Sequence, residues 1–363
     1  MTVDEPNSDA ALKPRAKVGL KEIAREAEVS ISTVSHVMNG TARISDEVRA
    51  RVMRVAQELG YLGMRRQRAN TGTLSKLLLA VPAYGLAQTE ANLFLWNILS
   101  AFRTRCAELN IALVPHSPPG ENLTAEGIVQ AAASNACDAV MLMHDDRPEL
   151  LEPLAAVRNQ LPPTVLVNGE DPNMNLDTVS PQNRFAAGRA VRWLTELGHR
   201  RVLHVTWGGR TTIARRRDGF HDAMAQVGIP AHEASVLSFQ TWDLALAEQV
   251  LSEKLVEIVR REKITAIFCA ADNVALHALN VLRRAGIRVP EDVSLVGFDN
   301  VMHAEMSSPP LSTVEVPVNH IGSVALRLLE ERLIEPFDPT APTRRVELEC
   351  RLIKRASVAA PAS

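Results

Sequence analysis

Near the start of the chain, Ser30, Ile31, Ser32, Thr33, Ser35 and His36 form a set of short side chains within the run LKEIAREAEVSISTVSHVMN, Leu20 to Asn39. Carried on a helix, groups of this size can approach base edges in the major groove, where donors, acceptors and thymine methyls spell the sequence. The elements needed to present them are two short helices and a turn. Leu20, Ile23, Ala24 and Ala27 share one face at helical spacing, Val29 plugs the turn, and Val34, Val37 and Met38 repeat the face in the second helix. Ser30 stands at the start of that helix, where a hydroxyl can accept an orphan backbone N–H. Asn39 closes the run and joins the candidate DNA contacts. On these residues alone, ordinary packing of a small amphipathic helix pair is an equally good reading.

The next segment supplies a third helix. Ser45 can cap it, Asp46 and Glu47 suit the positive end of its dipole, and Val48, Val52, Val55, Ala56 and Leu59 give it an inner face. Arg49, Arg51 and Arg54 stay outside.

A chain of 363 residues, 46% hydrophobic and 23% charged, is long enough for a small module plus two core-bearing units. Between Lys13 and Asn70 twelve Lys and Arg face six Asp and Glu, so this segment carries +6 and the rest −8 of the net −2. A basic end on an acidic body suits a polyanion partner at one end only. No run approaches the roughly 18 apolar residues that cross a bilayer, and the first seventeen residues lack the apolar core of a signal peptide. A cytoplasmic protein with no membrane partner is expected. Cys106, Cys137, Cys269 and Cys350 are far apart in apolar elements, which predicts buried free thiols rather than disulfides or zinc ligands. The phosphate-cradling, zinc-protease and nucleophile-elbow motifs are missing, so neither enzyme activity nor a cofactor or metal is expected. Asp145 and Asp146, adjacent on a loop, are expected to be solvated.

From Leu77 short apolar runs alternate with amphipathic stretches, the pattern of parallel sheets covered by helices. Strands are predicted at 77–81, 111–115, 139–143, 164–168, 201–207, 234–239, 266–270 and 293–299, with helices between them. Two such units in tandem make two lobes facing a cleft, and ligands of open α/β sheets bind beyond the carboxyl ends of the strands.

The segments AREAEVSISTVSHVMNG and ISDEVRARVMRVAQELGY resemble the DNA-binding headpiece of the LacI/GalR (lactose and galactose repressor) family, and the similarity continues nearly to the last residue. The resemblance implies a helix-turn-helix headpiece joined to an α/β core of two Rossmann-like lobes, periplasmic-binding-protein-like of type I. It also implies repression of transcription as a homodimer on near-palindromic double-stranded operator DNA, under control of a small-molecule effector. The expected divisions are a tail at 1–17, headpiece 18–62, hinge or linker 63–76, core 77–358 and tail 359–363. Within the core, lobe 1 takes about 77–180 and 315–341 and lobe 2 about 181–314 and 342–358, with chain crossings near Ser180, Val314 and Arg344. The ending AAPAS carries no leucine heptad, so a dimer is expected without a tetramerising tail.

Several residues depart from the family pattern. Glu28 stands at a turn position usually held by Gly, where a positive φ would penalise it by about 1 kcal/mol. His36 replaces an Arg that can grip guanine with two hydrogen bonds, so the preferred base there should differ. In the hinge segment Gly63, Gln67 and Asn70 replace the usual Pro, Ala and Leu. A minor-groove hinge helix would place Arg65 and Arg68 on phosphates or a narrow groove, and a solvated linker is the alternative.

For the effector, the resemblance points to Arg216, counted back from Gly219–Phe220, as the arginine that reaches into the cleft. Arg210 and Thr212 fall on positions that purine-binding members use, Asp299 on the family's carboxylate acceptor, Asp272 on a strand-end motif and Trp242 on a stacking aromatic. Arg215 and Arg217 read as a solvated basic loop. Phe94 could wall the site or simply pack the core. A sugar or sugar derivative is favoured and a purine-like ligand is possible, because Ala271 replaces a polar residue found in many sugar binders. A DNA-binding regulator with no small-molecule response and a transport-type solute-binding protein are the competing readings.

Overall fold

The computed structural model describes residues 20–39, 44–58, 74–83, 93–118, 122–230, 235–240, 244–334 and 341–361. Arg65 and Arg68 of the hinge segment, Trp242 and the expected tail 1–17 lie outside them, whereas 359–361 of the expected tail 359–363 are described and Ala359 is bonded to His199 and Ser294. The chain divides into two compact units, 1–71 and 72–363.

The first unit contains α1 (Leu20–Glu26), α2 (Ile31–Asn39) and α3 (Asp46–Glu58). Ile23, Ala24, Ala27, Val34, Val37, Val52 and Val55 are buried together, with Val29, Ile44 and Val48 packed against them. The Thr33 N–H donates to Ser30 Oγ at 3.0 Å, the capping bond that starts α2. Glu28 turns the corner between α1 and α2 at φ 52°, the left-handed region that disfavours a side chain.

In the second unit β1 (Lys76–Ala80), β2 (Ala112–His116), β3 (Ala139–Met143), β4 (Thr164–Val167) and β5 (Asp177–Pro181) alternate with α4 (Leu93–Glu108), α5 (Ala125–Ser134) and α6 (Pro148–Ala156). A second set follows: α7 (Asn183–Glu196), β6 (Val202–Trp207), α8 (Thr211–Gln226), β7 (Ser235–Phe239), α9 (Leu244–Val250), α10 (Val256–Arg261), β8 (Ala266–Cys269), α11 (Asp272–Arg284), β9 (Ser294–Val296) and α12 (Met302–Met306). The chain then runs through β10 (Thr313–Glu315), α13 (Val318–Ile334), β11 (Arg345–Leu348) and β12 (Arg351–Ile353).

One sheet has the order β11-β5-β4-β3-β1-β2 and the other β7-β6-β8-β9, and every pairing within them is parallel. Their central strands are buried on both faces, so they read as continuous apolar runs rather than alternating ones. β10 and β12 form a separate antiparallel pair. Arg332 forks onto both oxygens of Asp177 at 2.8 and 2.9 Å, tying α13 to the first sheet.

One boundary differs from the sequence reading, which put residues 342–358 in the second lobe. β11 pairs with β5, bonded at its ends by Thr178 N–H to Arg344 O and Gln182 N–H to Leu348 O. The last crossing therefore falls between Leu348 and Arg351, not near Arg344. A strand of four residues with three of them half-buried has the pattern of an edge, which periodicity cannot assign to one sheet or another.

Gly219 explains how α8 is seated. A Cβ there would collide with the Arg184 carbonyl of α7, so the two helices touch at this residue and α8 is held at a fixed depth. Replacing Glu28 by Gly should stabilise the headpiece by about 1 kcal/mol, slowing amide exchange in α1 and α2 roughly fivefold. Unchanged exchange would show that this backbone carries no strain.

Candidate functional site

In the headpiece, Ile31 is half exposed, Ser30, Ser32 and His36 are exposed, and Thr33 is partly so. Ser30 Oγ shares hydrogens with the hydroxyls of Ser32 and Thr33 at 2.6 and 2.8 Å. Ser30 thus serves the helix end first, and the outward face begins with Ile31. Ser35 and Asn39 also lie on α2.

In the core, the strand ends carry the polar chemistry. Arg216, on α8, is buried: its Nε donates to Asn183 Oδ1 at 2.9 Å, and its Nη1 donates to Ala270 O at 2.6 Å and to Asp299 Oδ1 at 3.1 Å. The guanidinium lies 3.7 Å from the ring centroid of Phe298. Among the described residues neither Arg216 Nη2 nor Asp299 Oδ2 makes a hydrogen bond. A charge pair is therefore half-used by the protein, with one donor group and one acceptor oxygen left over. Burial pushes the Asp299 carboxyl up to about 6, against the pull of Arg216, and burial likewise lowers Arg216. Asp299 has φ 112° and Asn300 φ 56°, so the loop after β9 holds the carboxylate in a backbone conformation rarely adopted by residues other than Gly.

Arg210, which precedes α8, reaches across to the ends of β3 and β4. Its Nη1 donates to His144 Nε2 at 2.9 Å, its Nη2 to Asn168 O at 2.5 Å, and its Nε lies 3.6 Å from Asp146 Oδ1. Arg has only hydrogens to offer, so His144 accepts at Nε2 and carries its proton on Nδ1. Asn168 Nδ2 stands 2.7 Å from that nitrogen, so the tautomer requires the amide turned over to offer its unpartnered oxygen. Burial and the charges of Arg210 and Arg216 hold His144 well below the usual imidazole range, consistent with this neutral tautomer. One step along α8, Arg215 Nε donates to Glu170 at 2.9 Å, a second bridge from lobe to lobe.

Two expectations are overturned here. Asp145 and Asp146 are not solvated: both are buried, Asp145 bound by the Arg147 fork at 2.7 and 2.6 Å and Asp146 facing Arg210. Arg215 is not part of a free basic loop, because Glu170, itself buried, holds it.

Arg210, Arg216 and Asp299 are thus brought together. Thr212 lies in the same turn of α8, buried, and its hydroxyl has no partner among the described residues. Asp272 does not join them. It is fully buried, its Oδ1 accepts from the Thr313 hydroxyl at 2.5 Å and its Oδ2 from Val301 N–H at 2.9 Å. Asp272 pins the crossing strand β10 to α11, and Gly297 gives it room, since a Cβ there would strike Oδ1. Phe94 is buried in the apolar core at the head of α4. Sequence reasoning missed His144, Asn168, Glu170 and Asn183, although the first three sit just beyond the carboxyl ends of β3 and β4.

A parallel two-lobed core with a buried polar cleft, preceded by a helix-turn-helix, defines the class of regulators that join a DNA-binding module to a periplasmic-binding-protein-like core. Residues 19–63 match the model of bacterial regulatory proteins of the lacI family, and residues 191–358 that of the periplasmic binding protein-like domain. The HTH-type transcriptional regulator DegA of Bacillus subtilis (strain 168) is 29% identical over 312 residues, 85% of this chain and 89% of that protein. The HTH-type transcriptional repressor PurR of Vibrio cholerae serotype O1 (strain M66-2) is 26% identical over 343 residues, 93% of this chain and 97% of its own. Among solved structures, the transcriptional regulator CelR–cellobiose complex superposes with a TM-score of 0.64 at 25% identity, covering 94% of this chain and all of the other. The chain thus joins a DNA-binding domain of the lacI type, residues 19–63, to a periplasmic binding protein-like domain, residues 191–358.

Thr313→Val keeps the shape and removes the donor to Asp272, which should lower unfolding free energy by about 1–3 kcal/mol in urea titration. Stability equal to the parent's would mean that Asp272 does not depend on this bond.

Proposed function

We propose that this chain is a sequence-specific repressor of transcription that binds a near-palindromic operator as a homodimer and is controlled by a small molecule held between the lobes of its core. The observation that carries the effector half is the Arg216–Asp299 pair, buried yet retaining Nη2 and Oδ2. A hydroxyl pair of a sugar, or the edge of a planar base, offers one acceptor and one donor to such a site. Sugar or sugar derivative is the favoured class, with a purine-like ligand second; the cellobiose complex of CelR and the name of the PurR repressor support both. Phe94, Thr212 and Trp242 are retained as secondary candidates for this site, and Asp272 is left out because both its oxygens are engaged. In the DNA half, Ile31, Ser32, Thr33, Ser35, His36 and Asn39 read bases from α2, and Arg65 and Arg68 contact the backbone. No catalytic step belongs to this reading, which places the protein in the cytoplasm.

Binding of effector and of operator must then be linked through lobe closure. One observation favours the alternative of a regulator without a ligand: Arg210 and Arg215 already bridge the lobes with partners of the protein's own.

The two readings part on Arg216→Ala. A thermal-shift screen of sugars, nucleobases and phosphorylated metabolites identifies the effector, and the variant should lose the response to it while operator affinity changes less than about twofold. Loss of both together would indicate misfolding, and a variant that still responds would remove Arg216 from the site. For the DNA half, His36→Arg should move the base preference at one position of each operator half-site toward guanine, by about 1–3 kcal/mol of discrimination. Selection from random DNA reads this out, and an unchanged logo would show that residue 36 does not read bases.

A further inference from the structure

α7 and β12 enclose a groove of about 490 Å3 on the second lobe that none of the chemistry above uses. Arg189, Arg192, Trp193 and Glu196 line it from α7 at the i, i+3, i+4, i+7 spacing of one helix face, and Arg351 and Lys354 line it from the strand side. Trp193 is half-buried and forms an apolar floor, with Lys354 Nζ 5.0 Å from its ring centroid. Arg189 is already committed: it bonds Glu349 at 3.2 Å and the Cys350 carbonyl. Arg192, Arg351 and Lys354 are different. Among the described residues none of the three has a carboxylate within ion-pairing distance, and Glu196 on the rim pairs with none of them, although Arg192 lies over the ring of Phe185 at 5.4 Å to its centroid.

We propose that this groove is a second ligand site, taking a phosphorylated small molecule whose phosphoryl group is held by Arg192, Arg351 and Lys354 and whose remaining part lies on Trp193. Three cations from two elements line one cavity, and an anion bound among them would be drawn by their combined field. A phosphoryl group fits because it carries nearly two charges at neutral pH and three strong acceptor oxygens, enough to engage two guanidinium forks and an ammonium at once. The volume is within the range of small-molecule sites, on the order of 300–1,000 Å3, and the open rim leaves the rest of the ligand in water.

The position gives such a ligand a route to the cleft. The Arg189 bonds anchor α7 to Glu349 and Cys350, the residues joining β11 to β12 at the last crossing between lobes. At the other end of α7, Asn183 accepts from Arg216 of the cleft. An anion bracing α7 against β12 therefore acts on the helix that positions the cleft arginine. By linkage, groove and cleft ligands would alter each other's affinity equally.

Calorimetric titration of the full chain with pyrophosphate, glucose 6-phosphate, ATP and citrate, at fixed low salt, tests this. At least one phosphorylated probe should bind saturably with Kd below about 1 mM, and at least tenfold more weakly in Arg351→Glu/Lys354→Glu. It should still bind saturably in Arg216→Ala, and the double variant should bind operator as the parent does. Both substituted residues are exposed and make no hydrogen bonds, and Arg351→Gln/Lys354→Gln repeats the test if charge reversal lowers the melting temperature. The proposal is overturned if no phosphorylated probe binds, if citrate binds as tightly as pyrophosphate, or if binding survives both double variants. Loss of binding in Arg216→Ala would also overturn it, by placing the anion in the cleft.

Discussion

The core is arranged around a guanidinium that has been taken out of water. Removing one partner of a buried charge pair typically costs about 3–5 kcal/mol, so Arg216 dictates what surrounds it. Asn183 begins α7, Ala270 follows β8, Phe298 and Asp299 follow β9, and each supplies a contact to the same side chain. Three strand or helix ends of the second lobe are thereby fixed to one point on α8. Gly219 sets the depth of that helix against α7, and the unusual backbone at Asp299 brings the carboxylate to the guanidinium.

The neighbouring arginines of the same segment turn outward to the other lobe. Arg210 and Arg215 meet His144, Asp146, the Asn168 carbonyl and Glu170, all from the ends of β3 and β4. Within seven residues the chain therefore places one cation in its own lobe and two on the partner lobe. His144 and Asn168 also adopt positive φ, at 64° and 52°, as Asp299 does on the opposite side. Backbone strain gathered at the facing strand ends is characteristic of sites whose geometry is set by more than local preference. Closure can be favourable when these ion pairs form and desolvate together, and a ligand that completes the Arg216–Asp299 pair would add to the same balance.

The sheets were legible because parallel strands buried on both faces leave runs such as AVMLM and AIFC, and the headpiece because small apolar residues recur at helical spacing with a serine at the second helix's start. The resemblance to known repressors placed Arg216 and Asp299, and the geometry brings them together. What escaped has a common cause. Asp146 and Arg215 looked like surface charge, since nothing local records a partner more than 40 residues away in the other lobe, whereas Asp145 is held by Arg147 only two residues on. Asp272 had the right strand end but turns inward to Thr313, a contact made only because β10 returns beneath α11. β11 is too short and too evenly exposed to declare its sheet.

If the cleft governs the headpiece, the two ligands must share one free energy. The most direct measurement is the affinity of the identified effector for the free protein and for the protein saturated with operator, alongside operator affinity with and without effector. The two ratios should differ from unity and be equal. Identical effector affinity in the presence and absence of DNA would contradict the account, leaving the cleft as a binding site with no hold on transcription.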